Sequence, residues 1–337
     1  MRRFFITALA VALASLGLML LIPHDRYIQA QDVRVGAFAR LGWIYERIHF
    51  DPTPIDVAFI GTSHTMNGVN GAVVSAGLSR MSGHPVYVAN LAIPQYGRNF
   101  HWLLVRELLE HRKVKTLVLE VTENESRQPH PLFAYWADVS DVLEAPVLIN
   151  LNWFTDIARL PLRQLTLGVK TLFPEEFGLR RHFDPAAYDG SDVDNTDAVQ
   201  VHGKTLTHLR RVRIDPTVLA EEAAAFERNK RLHMLGEELD SLEYHLPRYY
   251  LDKILALARE KGVQVKFLYL PVFGQPHQPY DMSPYVGQGQ MLYVDDILAD
   301  PANWFDLNHL NSFGAAKLSK RLPRLLSESF AGDPTVR

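Results

Sequence analysis

Two short stretches carry residue types that could perform acyl chemistry. One is Gly61-Thr62-Ser63-His64, directly after the apolar run Val57 to Ile60. The other is Asp306-Leu307-Asn308-His309, shortly before a helix expected from about Ser312 to Phe330. A serine at the end of a strand is a nucleophile when an imidazole takes its proton. An aspartate three residues before a histidine, on a turn, can accept from Nδ1–H, fix the tautomer and stabilise the imidazolium. Nε2 is then left facing outward as a general base. Each stretch also has a plainer reading. Strand–Gly–x–Ser turns bind phosphate or simply cap the next helix. Asp-x-x-His is also an ordinary acidic helix start with a surface histidine.

The elements around these residues decide between the readings. A buried strand at 55–60, with β-branched members, is followed by a helix over 67–81. A second strand, Val86 to Leu91, leads through the loop Ala92 to Gly97 into a helix from Asn99 to His111. The third strand is Thr116 to Val121. This alternation predicts a three-layer α/β/α fold with a parallel sheet of flavodoxin-like order. In such a sheet the loop after strand one and the loop before the last helix share the carboxyl edge. Ser63 and His309 are therefore expected neighbours.

The alternation stops after Glu125 and resumes near 248 with a helix, a Gly262 stop and the strand Val263 to Leu270. A short strand is expected at Met291 to Val294. Residues 126–246 read as a helical insertion walling the site, with helices near 152–172 and 217–245. The acidic stretch Asp189 to Asp197 lacks the glycine and glutamate of a calcium loop and reads as solvated.

Composition excludes several classes. The 337 residues are 47% hydrophobic and 22% charged, as in a globular protein with a real core. The net charge of −3 implies no general attraction to nucleic acid. With no cysteine there is no disulfide, thiolate catalysis or cysteine metal site. His101, His111, His202 and His208 show no ligand spacing with nearby carboxylates, so neither metal nor cofactor is expected.

Arg2 and Arg3 precede the uncharged run Phe4 to Ile22, which ends at Pro23-His24-Asp25-Arg26. The run is long enough to span a bilayer, and its flanking cations place the N-terminus in the cytoplasm. An uncleaved signal-anchor over 1–25 is favoured over a cleaved signal peptide; both export the domain to the periplasm or outside the cell. Apolar positions at helical spacing over 31–50 predict a juxtamembrane helix within 26–54, ahead of the α/β domain at 55–337.

With these pieces in place the chain resembles the SGNH (GDSL-like) hydrolases. Gly61-Thr62-Ser63-His64 is similar to their first block, and Asn90 to Gly97 to the second. Leu119-Glu120-Val121-Thr122-Glu123-Asn124-Glu125 resembles the third, and Asp306 to His309 with Asn311, Gly314 and Ala315 the last. The likeness covers about 55–125 and 248–330 and leaves out the insertion. It implies Ser63 as nucleophile and an oxyanion hole of the Ser63 N–H, a backbone N–H near Gly97 and the Asn124 amide. A simpler register puts Gln95 at the second-block glycine. Thr62 stands where the family has Asp, Thr122 where it has Gly and Glu125 where it has Asp. These departures resemble a membrane-anchored branch similar to alginate O-acetyltransferase-like and D-alanyl transfer proteins.

The resemblance implies a serine acyltransferase that acetylates an extracytoplasmic glycan, with an acyl donor supplied by a membrane-bound O-acyltransferase. An esterase using water, or a non-catalytic polysaccharide-binding protein, are the competing expectations. His64 could donate to the acyl oxygen or cap its helix. Arg98 and Asn99 could hold an acceptor or be solvated helix-start residues. Phe133, Tyr135 and Trp136 could form a carbohydrate platform or belong to the core.

Overall fold

The computed structural model describes residues 1–33, 36–121, 128–147, 150–201, 204–230 and 233–327. Its centre is a five-stranded, all-parallel sheet. Strands β1 (Val57–Ile60), β2 (Val88–Asn90), β3 (Thr116–Val121), β6 (Gln264–Tyr269) and β7 (Gln290–Leu292) lie in the order β2-β1-β3-β6-β7. Strands β4 (Ala198–Val201) and β5 (Lys204–Thr207) form a separate antiparallel hairpin in the insertion. Without that hairpin the order is the flavodoxin-like one, whose switch point lies between β1 and β3.

The strands are apolar on both faces because helices cover both. Ala58, Ile60, Leu117, Leu119 and Phe267 join one apolar cluster, and Val57, Phe59, Val118 and Leu268 join the other, so alternate residues serve opposite layers. Helices α6 (Arg98–His111) and His245–Glu260 pack in the first layer; α5 (Gly71–Ser82) and Ser312–Leu326 pack in the second.

Some elements differ from the sequence expectation. The helix expected over 67–81 is two helices, α4 (Ser63–Gly68) and α5, because Asn70 leaves the helix and its side chain accepts from Val73 N at 2.9 Å. Ser63 therefore opens a helix. The helix expected over 217–245 is Pro216–Asn229 only; Gly236, at φ +89°, turns the chain before the next helical residues. The expected juxtamembrane helix is split into α2 (Arg26–Asp32) and α3 (Arg40–His49). Their residues Ala30, Leu41, Ile44 and Ile48 are buried in the first apolar cluster.

The first helix, α1 (Arg2–Met19), has 18 residues, a mean hydropathy of 1.5 and no buried residue. It is long and apolar enough to cross a membrane.

Candidate active site

Ser63 is placed by a strand, a turn and a helix. Strand β1 ends at Ile60, and Thr62 caps α4, its hydroxyl accepting from His64 N at 3.2 Å. Gly61 is required here. A Cβ at that position would lie 2.4 Å from Glu120 Oε2 and 2.6 Å from Thr65 Oγ1. Ser63 is half-buried, and its N–H has no partner among the described residues.

The last block is a closed loop. Phe305 N donates to His309 O at 2.9 Å, and Trp304 and Leu310 form an antiparallel bridge just outside it. Asn311 then caps the final helix, accepting from Phe313 N and Gly314 N at 3.0 Å each. This closure brings the carboxylate of Asp306 back over the ring of His309, with Nδ1 3.0 Å from each oxygen. Oδ1 also accepts from Asn308 N and His309 N at 2.8 Å. Burial would raise the Asp306 carboxyl, but the His309 hydrogen bond and charge and the two amides outweigh it and hold it below the ordinary range.

The two halves meet across 246 positions of sequence: His309 Nε2 lies 2.8 Å from Ser63 Oγ. With Nδ1–H committed to Asp306, Nε2 is the acceptor for the serine hydroxyl proton. Nucleophile, base and orienting acid are thus in hydrogen-bonding line, which is the arrangement for covalent acyl transfer.

Three further residues of this centre were not assigned a role from the sequence. Glu120 on β3 is 2% exposed. It accepts from Thr62 Oγ1 at 2.6 Å, Thr62 N at 2.8 Å and Thr65 N at 3.0 Å, so one carboxylate fixes the turn and the first amides of α4. Its signal was its place in the third block. Tyr96 donates its hydroxyl to His64 Nε2 at 3.1 Å. Arg210, from the insertion, donates to Leu310 O at 2.7 Å and lies over the Phe305 ring at 4.8 Å. No local pattern marks either residue, because each acts through a contact distant in sequence.

His64 is buried beside the triad, with its ring 5.5 Å from that of His309. Its Nδ1–H donates to Leu270 O at 2.8 Å. Burial, reinforced by the neighbouring His309, holds its pKa below the ordinary value although Glu120 opposes this. His64 is therefore a neutral imidazole whose Nε2 accepts from Tyr96, rather than a donor to an acyl oxygen.

The second-block residues divide. Gly97 has φ +148°, and a Cβ there would lie 2.5 Å from His130 N, so glycine is needed for close approach to that segment. Gln95 is exposed and takes the left-handed φ of +79° that glycine would favour. Asn124, with Thr122 and Glu125, lies outside the described residues.

Arg98 and Asn99 are 3% and 2% exposed, which removes them from the solvated helix-start reading. Arg98 donates to Glu120 O at 3.1 Å, and Asn99 Oδ1 accepts from His130 N at 2.9 Å. Phe133 and Trp136 are core residues, the latter under Arg26 at 3.8 Å; Tyr135 alone of that cluster is exposed.

Two of the four histidines that show no ligand spacing in the sequence have carboxylates beside them in the fold. His208 Nδ1 is 2.7 Å from Asp197, and His111 joins His49 and Glu107. His49 Nε2 is 2.8 Å from Glu107, whose other oxygen meets Arg26 at 3.3 Å, so a guanidinium already supplies positive charge there. The acidic stretch is not merely solvated: Asp192 accepts from Ala72 N at 3.1 Å and Asp194 from Asn70 Nδ2 at 2.7 Å, strapping the start of α5.

A cavity of about 440 Å³ lies between α3 and the segment 178–195 of the insertion. Its lining includes Arg40, Trp43, Arg180 and Asn195, and Met66 of α4, but not Ser63. Burial lowers the Arg40 guanidinium to about 10, against the pull of Asp192 and Asp194.

Compared with known proteins, the chain matches no family model and no curated sequence.

Proposed function

We infer that the chain is an exported, membrane-anchored serine acyltransferase of the SGNH type that transfers an acyl group, most simply acetyl, to a hydroxyl of an extracytoplasmic glycan. The observation that carries the reading is the Asp306–His309–Ser63 line, with 3.0 and 2.8 Å contacts in the right order.

The chemistry runs in two halves. Ser63 Oγ attacks the donor's acyl carbonyl while His309 Nε2 takes the hydroxyl proton, and Asp306 stabilises the imidazolium. Negative charge on the carbonyl oxygen is met by the Ser63 N–H at the head of α4, together with a second-block amide and the Asn124 side chain. One such donor is worth about 100- to 1000-fold in rate. The tetrahedral species collapses, the leaving group takes the proton from His309, and an acyl-serine remains. An acceptor hydroxyl then gives its proton to His309 and attacks the ester. The product leaves and Ser63 is regenerated.

The apolar helix α1 supports membrane attachment. Arg2 and Arg3 before it favour a cytoplasmic N-terminus and an exported catalytic domain. A tethered enzyme is suited to a donor delivered through the membrane by an O-acyltransferase partner; a free esterase gains little from the tether.

The test is intact-protein mass spectrometry after incubation with an activated acetyl donor, followed by candidate glycans. The expected result is one acetyl group on the wild-type chain, discharged to a glycan, and none on Ser63→Ala. Discharge to water alone makes the protein an esterase. Acylation of Ser63→Ala at the wild-type rate overturns the nucleophile.

A further inference from the structure

Helix Trp153–Leu172 carries two apolar stripes, and only one is used by the fold. Leu160, Gln164, Leu167 and Gly168 face the domain and are buried. The opposite face presents Phe154, Ala158, Leu162, Leu165, Val169 and Leu172, all exposed. Their spacings of four, four, three, four and three put all six within about 100° of the helix circumference. Phe154, Leu162 and Leu172 are 73%, 68% and 65% exposed. A helix of 20 residues makes this strip about 30 Å long. Scattered exposed leucines need no explanation, but a continuous strip does.

The helix that carries the strip lies where α1 leaves the domain. A Cβ on Gly168 would sit 2.4 Å from Ile22 Cγ2, so the chain just after α1 rests on the domain-facing side of this helix, in its C-terminal half. Asp25 N donates to Thr171 Oγ1 at 2.9 Å and Gln164 Nε2 to Ile22 O at 3.4 Å. These contacts fix the exit of α1 to the helix. A bilayer containing α1 must therefore meet the domain at this helix.

We propose that helix Trp153–Leu172 lies in the interface of the membrane that α1 spans, with the strip from Phe154 to Leu172 inserted among the lipid headgroups and upper acyl chains. The occupant is lipid, because the helix is bound to the residues that directly follow α1, the one helix among the described residues long and apolar enough to cross a bilayer, and the exposed Arg159 on the strip's flank suits the phosphate level. The domain is then held by a span and a float. The inference rests on the membrane attachment of α1 and not on the acyl-transfer reading.

The chain has no cysteine, so single labels can be placed cleanly. Full-length protein carrying Phe154→Cys, Leu165→Cys or Leu172→Cys is labelled with an environment-sensitive fluorophore. It is then reconstituted in phosphatidylcholine–phosphatidylglycerol vesicles containing nitroxide lipids. Val11→Cys in α1 and Lys320→Cys on the last helix are the references. The expected result is blue-shifted emission at the three strip positions, quenched best by shallow nitroxides. Val11 should be quenched by deep nitroxides and Lys320 by neither. Strip positions that behave like Lys320 while Val11 is deep overturn the proposal and leave the anchor standing. Protection that appears only after a second membrane protein is added assigns the strip to a protein partner and also overturns it. A Val11 label in water removes both the anchor and the proposal.

Discussion

Thr62 and Glu120 are joined by two hydrogen bonds, from the threonine N–H at 2.8 Å and its hydroxyl at 2.6 Å. In the first block of the SGNH family that the sequence resembles, an aspartate stands at the position of Thr62. Here the acid sits on the adjacent strand and the turn supplies the hydroxyl, so the carboxylate braces the serine turn from outside. Register explains how: Ile60 pairs with Leu119, which sets Glu120 beside Gly61.

Glu120→Gln tests this brace. A glutamine has one acceptor oxygen where three donors converge, and its NH2 faces a donor. Each donor left unpaired costs about 1–3 kcal/mol. The expected outcome is a lower urea midpoint and an acyl-transfer kcat reduced by about tenfold or more as the nucleophile loses its position. A variant equal to wild type in both measurements assigns Glu120 no part in the site.

Asp306→Asn should leave Ser63 and His309 in place but favour the wrong imidazole tautomer. The comparable exchange in a serine-protease triad lowers kcat by about 10⁴-fold. The carboxyl of Asp306 is held below its ordinary range in the folded chain. Its ionised form therefore favours folding above the unfolded pKa, and that contribution is lost as pH falls through the folded value. The stability difference between wild type and Asp306→Asn should shrink below about pH 4, read by denaturant unfolding across pH.

Tyr96→Phe removes the hydroxyl that donates to His64 Nε2. That bond favours the neutral ring, so its loss should raise the His64 pKa. Nitrogen-detected NMR titration should show His64 protonating at higher pH in the variant than in wild type. An unchanged titration would mean the hydroxyl does not hold the tautomer.

His130 braces the loop after β2: it donates from Nε2 to Pro94 O at 2.8 Å and is stacked on Phe100 at 4.6 Å. Burial lowers its pKa from 6.5 to about 4. The unfolded chain then takes up a proton that the folded chain refuses, so stability falls as pH drops from 6.5 towards 4. This costs on the order of 3 kcal/mol at the acid end. His130→Gln should be less stable at neutral pH but show a flatter decline between those limits, measured by thermal unfolding in matched buffers.

The parts of the site that were legible in the sequence are those written in neighbouring residues. A buried apolar run ending in Gly61-x-Ser63 announces its own turn, and Asp306-x-x-His309 announces its own pairing once the loop closes. The alternation of strands and helices then places them at one edge. Glu120, Tyr96 and Arg210 were illegible as partners because their contacts arise from strand register, from the loop after β2 meeting α4, and from an insertion with no repeating pattern. Arg98 and Asn99 misled for the opposite reason: helix-start polar residues are usually solvated, and here His130 and β3 cover them. The break between α4 and α5 was missed because Val69 continues the helical apolar pattern while the Asn70 cap ends it.

Arg210 belongs to the insertion, yet it is buried and holds the carbonyl that follows His309. The insertion is therefore not an ornament on a finished α/β domain. Excising it should release the loop that carries Asp306 and His309. A lineage that shortened this region would need a replacement tether for that loop, whereas one that lengthened it elsewhere would be free to do so. The insertion and the loop that carries His309 are thus constrained to change together.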